Sequence, residues 1–488
     1  MELNNLKKNT LLQNIASYIL PLALVLFFFS RIIFLFYNFW GLEYEDSYIY
    51  YDNALNIENH IFNKSNILQC ISCDIGSYKD CISYMSYGAH YKTFSYVIFA
   101  FNKVFGTVYQ NVFIVNFLIS ICILIIFYLF VKDKITRIIF TLCIALTPFY
   151  ALFSTSGNSE IFSSFFVLAS LFCSYNLIIR KKQSYLYLFI LCATIAAISN
   201  RENFVLFFIF ILLQLISNDR TKLKTLIKIT AILIYTPFLL YIVGVFDTEM
   251  EYANDIQNQT FSLKYLLDNS KAFLGAFTSL ELWGITGYLF ITSVFTFIFF
   301  RKKGMINLYL IIFFVSYYLL TFMHYRHYHY LLTGEVSPFE TLRYSSTFFP
   351  IIAAFISFNL SYLFKKYNNK LSIIYISITV IFISFKTFET RRNFSNDEYN
   401  SRTKPAEEII KYYQTGDIIV TNFPIVIKNI ANQKTMIADL RSLEKINIKS
   451  FNHIYLLLNS TEYNEIKETY KLKKLRAIND YEIYLIQN

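Results

Sequence analysis

The residues with the clearest capacity for chemistry form an acidic group just after the first apolar segment of the chain. Glu43, Glu45 and Asp46 lie within residues 40–55, and a tyrosine-rich run compatible with a helix follows them. Carboxylates are costly at a membrane face and are usually retained there for catalysis or ion handling. A carboxylate in this position can act as a general base on an acceptor hydroxyl or amine. The alternative is an acidic, solvated loop with no chemical role.

Further charged residues occur at the ends of later apolar segments. Glu160, in the stretch STSGNSE, opens the fourth segment, and Arg201 and Glu202 lie between the fifth and the sixth. Glu335 and Arg343, in TGEVSPFETLRY, precede the tenth. Arginine can clamp a phosphate with two hydrogen bonds, and a carboxylate can accept a proton, so the set suits a substrate with an anionic head and a lipid tail. The alternative is that outer loops simply carry polar residues.

The elements that must position these residues are predicted to be membrane helices. The chain has 488 residues, of which 55% are hydrophobic and 16% charged. Its mean hydropathy of +0.42 is too apolar for a soluble domain. A membrane-spanning helix needs about 20 predominantly apolar residues. On this basis we predict eleven spans, at 14–38, 111–131, 136–154, 160–179, 184–200, 203–217, 228–246, 283–300, 305–324, 344–364 and 371–387.

The basic residues predict the orientation of these spans. Lys7 and Lys8 precede the first span, and short connections rich in Lys and Arg follow each even-numbered span. Cytoplasmic loops carry an excess of Lys and Arg, so the net charge of +11 indicates membrane topology rather than nucleic-acid binding. We therefore expect a multi-pass protein of the plasma (inner) membrane with a cytoplasmic N-terminus. The carboxylates and arginines described above then all lie at the outer ends of spans.

The segments outside the spans also predict structure. The first outer loop, 40–110, contains an amphipathic helix at 91–106, and the stretch SLKYLLDNSKAFLGAF in a later outer loop predicts another. From about residue 389 the composition becomes that of a soluble domain. There PAEEIIKYYQ, IVIKNIAN and STEYNEIKETYKLKK alternate as helices with the strands GDIIVTN, HIYLLLN and YEIYLIQ. We expect a transmembrane domain over 1–388 and a small extracytoplasmic α/β domain over 389–488.

Two further features have more than one interpretation. Cys70, Cys73 and Cys81 share the first outer loop and form either a disulfide with a spare thiol or half of a zinc site that lacks a fourth ligand at the right spacing. Arg31 lies inside the first predicted span. Its side chain either faces the helix bundle and pairs with an outer carboxylate, or extends to the outer headgroups.

The order of these motifs resembles that of the integral-membrane glycosyltransferases of the GT-C class. EDSYIYYDNALNI resembles the signature of their first outer loop, where Asp46 matches the second residue of an acidic pair and Glu45 the first. STSGNSEIF resembles the Ser-Gly-x-Glu stretch at the start of the fourth span, with one extra residue between Gly157 and Glu160.

The later motifs continue the resemblance. NRENF resembles an Arg-Pro-Glu stretch after the fifth span, with Arg201 and Glu202 in place but without the proline. GEVSPFETLRYSSTFFP resembles the late signature of the class, in which Glu335, Arg343 and Tyr344 are matched. The order of motifs, the topology and the external C-terminal domain agree over most of the chain.

The resemblance implies a GT-C fold and an inverting transferase. Such an enzyme moves a monosaccharide from a polyprenyl-phosphate donor, here expected to be undecaprenyl phosphate, to an envelope glycan, a lipid or a protein, without a metal or other cofactor. By this resemblance Asp46 is the base, assisted or replaced by Glu45, and Arg343 with Arg201 holds the donor phosphate. The residues expected to orient the substrate are Glu160, Glu335, Tyr344 and Glu202.

Two other functions compete with this interpretation. One is a glycan polymerase, ligase or oligosaccharyltransferase with a lipid diphosphate donor, for which Glu43, Glu45 and Asp46 could hold a divalent metal. The other is a transporter or flippase of lipid-linked sugars. Transporters often have internal repeats and helices broken by Gly or Pro at mid-membrane. The chain has 12 Gly, 7 Pro and no detectable repeat, so the transferase is favoured over the transporter.

Overall fold

The chain forms two compact units, one mainly helical and one that contains a sheet. The first unit comprises the described residues of Met1–Phe34, Asn116–Thr155 and Ser159–Arg391. The second comprises those of Leu35–Val115, Ser156–Asn158 and Arg392–Asn488. The computed structural model describes residues 18–33, 35, 50–51, 53–55, 57, 64–68, 84–86, 92–180, 182, 184–216, 235, 263–280, 282–299, 305–323, 338–367, 403–423, 426–427, 430–431, 435–446 and 448–487.

Helices account for most of the described residues. They are α1 (Tyr18–Ile33), α2 (Lys92–Phe105), α3 (Asn111–Phe130), α4 (Lys134–Leu146), α5 (Pro148–Phe153), α6 (Ser159–Ile178), α7 (Tyr185–Ser199), α8 (Val205–Ile216), α9 (Leu263–Thr278), α10 (Thr286–Phe299), α11 (Met305–Met323), α12 (Pro338–Tyr367), α13 (Lys404–Ile410) and α14 (Ser460–Ile466). Both segments that were predicted as helices of outer loops, now α2 and α9, are helical.

Three helices in the described part of the chain are long and apolar enough to cross a membrane, judged by length and composition. They are Asn111–Phe130, Ser159–Ile178 and, within α12, Ser345–Lys366. These helices coincide with the predicted second, fourth and tenth spans. Shorter apolar helices, including α1, α7 and α10, occur where other spans were predicted. The seventh and eleventh predicted spans lie outside the described residues, apart from Tyr235.

The predicted third span, 136–154, is two helices rather than one. Helix α4 ends at Leu146 and α5 begins at Pro148. Thr147 between them is extended, with φ −78° and ψ 115°. Proline has no N–H to continue the preceding helix, whereas its fixed φ suits the first turn of a new one. The break therefore follows from Pro148.

Helix α12 begins earlier than the predicted tenth span. It contains 30 residues and has Pro338 as its first residue. Arg343 and Tyr344 therefore lie within its early turns, and the prediction that Arg343 lies in the connection before the helix is wrong. Proline at the first helical position explains the early start, because its missing N–H has no partner there in any case.

The second unit contains a seven-stranded sheet with the order β2-β1-β4-β3-β5-β7-β6. The strands are β1 (Lys64–Leu68), β2 (Tyr84–Ser86), β3 (Ile418–Thr421), β4 (Ile437–Asp439), β5 (Ile454–Asn459), β6 (Leu472–Ile478) and β7 (Tyr481–Ile486). β3 pairs in parallel with β4 and β5, and β1 is parallel to β4. β1 and β2 come from the segment between the first and second predicted spans, so the sheet joins distant parts of the sequence in a way that we did not predict.

The central strands of this sheet are covered on both faces. Along β5, Tyr455 and Leu457 pack into one apolar cluster while Leu456 and Leu458 pack into another. Successive side chains of a strand point to opposite faces, so two covered faces require an unbroken apolar run. The helix predicted from STEYNEIKETYKLKK is shorter than expected, because α14 ends at Ile466 and the following residues enter β6, which pairs with β7.

Candidate active site

The start of α6 is a buried polar region of the first unit. Glu160 lies in the first turn of this helix and is 3% exposed. The neighbouring Ser154, Thr155 and Ser159 are also buried. The N-terminus of a helix carries a partial positive charge, which stabilises a carboxylate in the first turn. The helix thus provides a charge-compatible, buried place for Glu160.

One face of α6 carries further polar groups next to Glu160. Ser163 and Ser164, three and four residues after Glu160, lie on the same side of the helix and are fully buried. Asn203 donates from Nδ2 to the Ser163 hydroxyl at 3.3 Å and to the Ala196 carbonyl at 2.8 Å. This contact brings the motif that contains Arg201 and Glu202 to the Glu160 face of α6.

The motif after α7 forms a tight turn. Arg201–Phe204 is one turn of 3₁₀-helix between α7 and α8. Its first two residues, Arg201 and Glu202, were predicted as site residues, and only their backbone is described. Fully buried Asn203 fixes this turn, and with it the backbone position of Arg201 and Glu202. Asn203 was not predicted as a functional residue, because the resemblance of this motif rested on Arg201 and Glu202.

Arg31 faces the interior of the helix bundle. Its side chain is fully buried, and its Nη2 donates to the Ile144 carbonyl at 2.5 Å. The guanidinium carbon lies 4.9 Å from the ring centroid of Phe27 and 5.9 Å from that of Tyr150. Of the two alternatives for Arg31, extension to the headgroups is therefore excluded. Among the described residues, no carboxylate forms an ion pair with it.

Tyr150 connects Arg31 to the polar face of α6. The tyrosine is fully buried in α5, and its hydroxyl lies near Ser164 but forms no hydrogen bond within the described part of the chain. The ring of Tyr150 also packs against Phe349 of α12, with centroids 4.6 Å apart. Tyr150 thus lies among groups from α1, α6 and α12. We had not singled it out, because an aromatic residue in an apolar run gives no sign of a polar contact.

The N-terminal part of α12 also contributes buried polar groups. Ser345, Ser346 and Thr347 are buried and directly follow Arg343 and Tyr344 in the helix. The structure gives Arg343 and Tyr344 a helical backbone, and their side chains are not described. Their predicted roles stay predictions.

The acidic motif itself lies outside the described residues, as do Glu335 and the cysteines Cys70, Cys73 and Cys81. The structure does describe part of the segment that follows the motif. Residues 50–51 and 53–55 are helical, in agreement with the prediction for this run, and Tyr51 and Asn53 are buried. Tyr50 packs edge-on against Phe94 of α2, with ring centroids 5.4 Å apart. The segment that follows the motif is thus anchored within the second unit.

Comparison with known proteins identifies the class that this arrangement resembles. Residues 92–244 match a family model described as dolichyl-phosphate-mannose-protein mannosyltransferase. This range contains Glu160 and the Arg201–Phe204 turn. No curated protein matches the chain. The matched family is a GT-C mannosyltransferase family, so the resemblance to GT-C glycosyltransferases is confirmed.

Two solved structures of one protein resemble the chain over nearly its whole length. The crystal structure of ArnT from Cupriavidus metallidurans bound to undecaprenyl phosphate has 10% identity and a TM-score of 0.61, and the match covers 96% of this chain and 97% of that one. The crystal structure of the same protein in the apo state has 10% identity and a TM-score of 0.59, and the match covers 97% of this chain and 98% of that one. The chain therefore has an ArnT-like GT-C fold. With its apolar helices, this fold indicates an integral membrane protein.

Proposed function

We propose that this protein is an inverting glycosyltransferase that moves one monosaccharide from a polyprenyl-phosphate donor to an envelope glycan, lipid or protein at the outer face of the membrane. The observation that carries the proposal is the fold match with ArnT, which extends over 96% of this chain and was found with a structure bound to undecaprenyl phosphate. The family model over residues 92–244, with a lipid-phosphate sugar in its description, supports the same donor chemistry.

The proposed reaction is a single displacement. An acceptor oxygen or nitrogen forms a bond to the anomeric carbon of the sugar, while the bond from that carbon to the lipid phosphate breaks. The acceptor proton passes to Asp46, with Glu45 as helper or substitute, and the polyprenyl phosphate leaves with the bonding electrons. Arg343, with Arg201, stabilises the charge of the departing phosphate. Attack from the side opposite to the leaving group inverts the anomeric centre.

The roles of the remaining residues follow from their chemistry. Glu160 is the predicted site residue whose side chain the structure describes, and it is a buried carboxylate at a helix N-terminus. A carboxylate held in this way accepts hydrogen bonds well, which suits the orientation of sugar hydroxyls or of a neighbouring arginine. We assign orienting roles also to Glu335, Tyr344 and Glu202. Arginines provide the phosphate charge stabilisation, so we propose that transfer needs no bound metal or other cofactor.

The decisive experiment compares cells that carry the wild type, Asp46→Asn or Glu58→Gln. Glu58 is a carboxylate of the same outer loop outside the acidic motif, so its variant is the matched control. Envelope lipids, glycans and glycoproteins are profiled by mass spectrometry at equal protein level. In Asp46→Asn cells we expect one species to lack a single monosaccharide while the polyprenyl-phosphate sugar accumulates. A base contributes about 10²–10⁴-fold in rate, so the loss should be nearly complete. An unchanged profile would contradict the assignment of Asp46.

Two further experiments test the metal requirement and the membrane orientation. Purified protein should transfer sugar equally well with EDTA and with added Mn²⁺, whereas a strict requirement for Mn²⁺ would favour a lipid-diphosphate donor. Single cysteines placed near the N-terminus and after residue 389 test the orientation, in a variant whose seven native cysteines are replaced by serine. We propose a plasma-membrane protein with a cytoplasmic N-terminus, so an impermeant thiol reagent should label only the second position in intact cells.

A further inference from the structure

The break between α4 and α5 leaves main-chain groups that need partners. In a continuous helix the N–H of residue 148 would donate to the carbonyl of Ile144, but Pro148 has no N–H. The carbonyl of Cys143 accepts from the N–H of Thr147 at 3.2 Å and from its hydroxyl at 2.7 Å. The carbonyl of Ile144 therefore lacks a main-chain donor of the kind that the carbonyl of Cys143 has. A buried carbonyl without a donor is strongly destabilising.

Arg31 of α1 supplies the missing donor. Its Nη2 lies 2.5 Å from the Ile144 oxygen, in a fully buried setting. The C-terminus of a helix carries a partial negative charge, so a guanidinium there is favoured twice, by the hydrogen bond and by the helix dipole. The Ser30 hydroxyl accepts a longer hydrogen bond from Arg31 Nη1, at 3.4 Å. The site explains why a charged residue is retained within an apolar helix.

Other contacts fix the same break from a second direction. The N–H of Phe149 donates to the Leu282 carbonyl at 3.0 Å, and the hydroxyls of Thr147 and Thr286 lie 2.6 Å apart. The break is thus held on the α4 side by Arg31 and on the α5 side by Leu282 and the start of α10. Its orientation determines where Tyr150 lies, because Tyr150 is only two residues after Pro148.

We propose that Arg31 is a positioning residue for the transferase site. Its guanidinium replaces the hydrogen bond that Pro148 removes and holds α5 so that Tyr150 stays beside Ser164, one helical turn from Glu160. This inference rests on the proposed function, since the position of the Glu160 face matters for turnover only if Glu160 orients the substrate. The hydrogen bond to Ile144 and the break at Pro148 stand independently of that function.

The test uses the full-length protein in nanodiscs and two readouts, thermal unfolding and transfer kinetics. Arg31→Met keeps an unbranched apolar side chain but removes the guanidinium donor, and Arg31→Lys keeps a charged donor. We expect the methionine variant to unfold at lower temperature and its kcat to fall about 10- to 100-fold at an unchanged KM for the donor, as for a small displacement of an orienting group. The lysine variant should recover most of both properties.

Arg137 offers a matched control at the opposite end of α4. Its Nε donates to the Val131 carbonyl at 2.5 Å and its Nη2 to that of Tyr128 at 2.7 Å, so it satisfies carbonyls at the end of α3 by the same chemistry. Arg137→Met should lower the unfolding temperature but leave kcat per folded molecule unchanged. An equal loss of kcat in both methionine variants would mean that Arg31 acts only through general stability, and it would overturn the proposal.

A double-mutant cycle with Pro148→Ala tests the link to the break. Alanine restores an N–H at this position, so the helix can satisfy Ile144 by itself, and Arg31→Met should then lower the unfolding temperature by much less than it does with Pro148. If Arg31→Met lowered the unfolding temperature equally in the wild type and in Pro148→Ala, the role of Arg31 at the Ile144 carbonyl would be refuted. This cycle needs no activity. If the wild type transfers no sugar from any polyprenyl-phosphate donor, the proposed function fails while the structural result can still be obtained.

Discussion

Replacing Glu160 with glutamine should lower kcat/KM for the donor with little effect on folding. The side chain is 3% exposed and lies in the first turn of α6, so glutamine fits the same space but loses the negative charge. A hydrogen bond to a charged group contributes about 1.5–3 kcal/mol. Because about 1.4 kcal/mol corresponds to a factor of ten in rate, we expect a loss of about 10- to 150-fold. The substitution also removes the favourable interaction of the carboxylate with the helix dipole, about 0.3–2 kcal/mol of stability. This loss is offset because burying a neutral amide costs less free energy than burying a carboxylate.

The assay for this prediction measures initial rates with the purified protein, using the donor and acceptor identified by the cell profiles. Ser174→Ala is the matched control, because Ser174 is buried in the same helix and, within the described ranges, its hydroxyl donates only to the nearby Leu171 carbonyl at 2.8 Å. That variant should keep the wild-type kcat/KM. If Glu160→Gln also retains it, the buried carboxylate plays no part in orienting the substrate.

Two further outcomes follow from described contacts. Asn203→Ala removes the hydrogen bonds to Ser163 and Ala196, so we expect a loss of about 1–3 kcal/mol in unfolding free energy and a lower kcat, measured by thermal unfolding and initial rates. At the start of α4, burial raises the pKa of Asp133, but hydrogen bonds from Lys365 and two hydroxyls outweigh it and hold the pKa below its ordinary value. A carboxyl group whose pKa is lowered by folding stabilises the protein at pH values above the ordinary pKa of aspartate. The unfolding temperature of the wild type should therefore fall as the pH is lowered through and below that pKa. The unfolding temperature of Asp133→Asn should fall less.

Part of this structure could be predicted because its signals are local. The runs that form α3 and α6 are continuous, apolar and about as long as a membrane is thick, so their existence needs no knowledge of distant contacts. Glu160 was placed correctly at the start of α6 because a polar stretch gives way there to an apolar one. The strands β3, β5 and β7 were recognised in the same way, from short apolar runs bounded by turn residues.

The remaining features depend on partners far away in the chain. The orientation of Arg31 was left open because only the tertiary structure brings it to the Ile144 carbonyl. The break at Pro148 was concealed by the apolar residues on either side of it, although proline alone predicts it. The strand β1, KSNIL, has no alternation of its own, and it becomes a strand through pairing with β4. Such a segment gives no signal until its partner is known.

The pairing of β1 with β4 has a consequence for how the protein is made. Leu68 lies opposite Ala438, 370 residues later in the chain. At about 5–20 residues per second, a ribosome needs about 20–70 s to synthesise the intervening chain, most of which must enter the membrane. During that time the β1–β2 pair has been synthesised but lacks its neighbour and exposes an open strand edge, which is a site for wrong association. Premature termination before residue 437 would leave that edge permanently open, so we expect truncated chains to be recognised by quality-control proteases even when their membrane helices have inserted correctly.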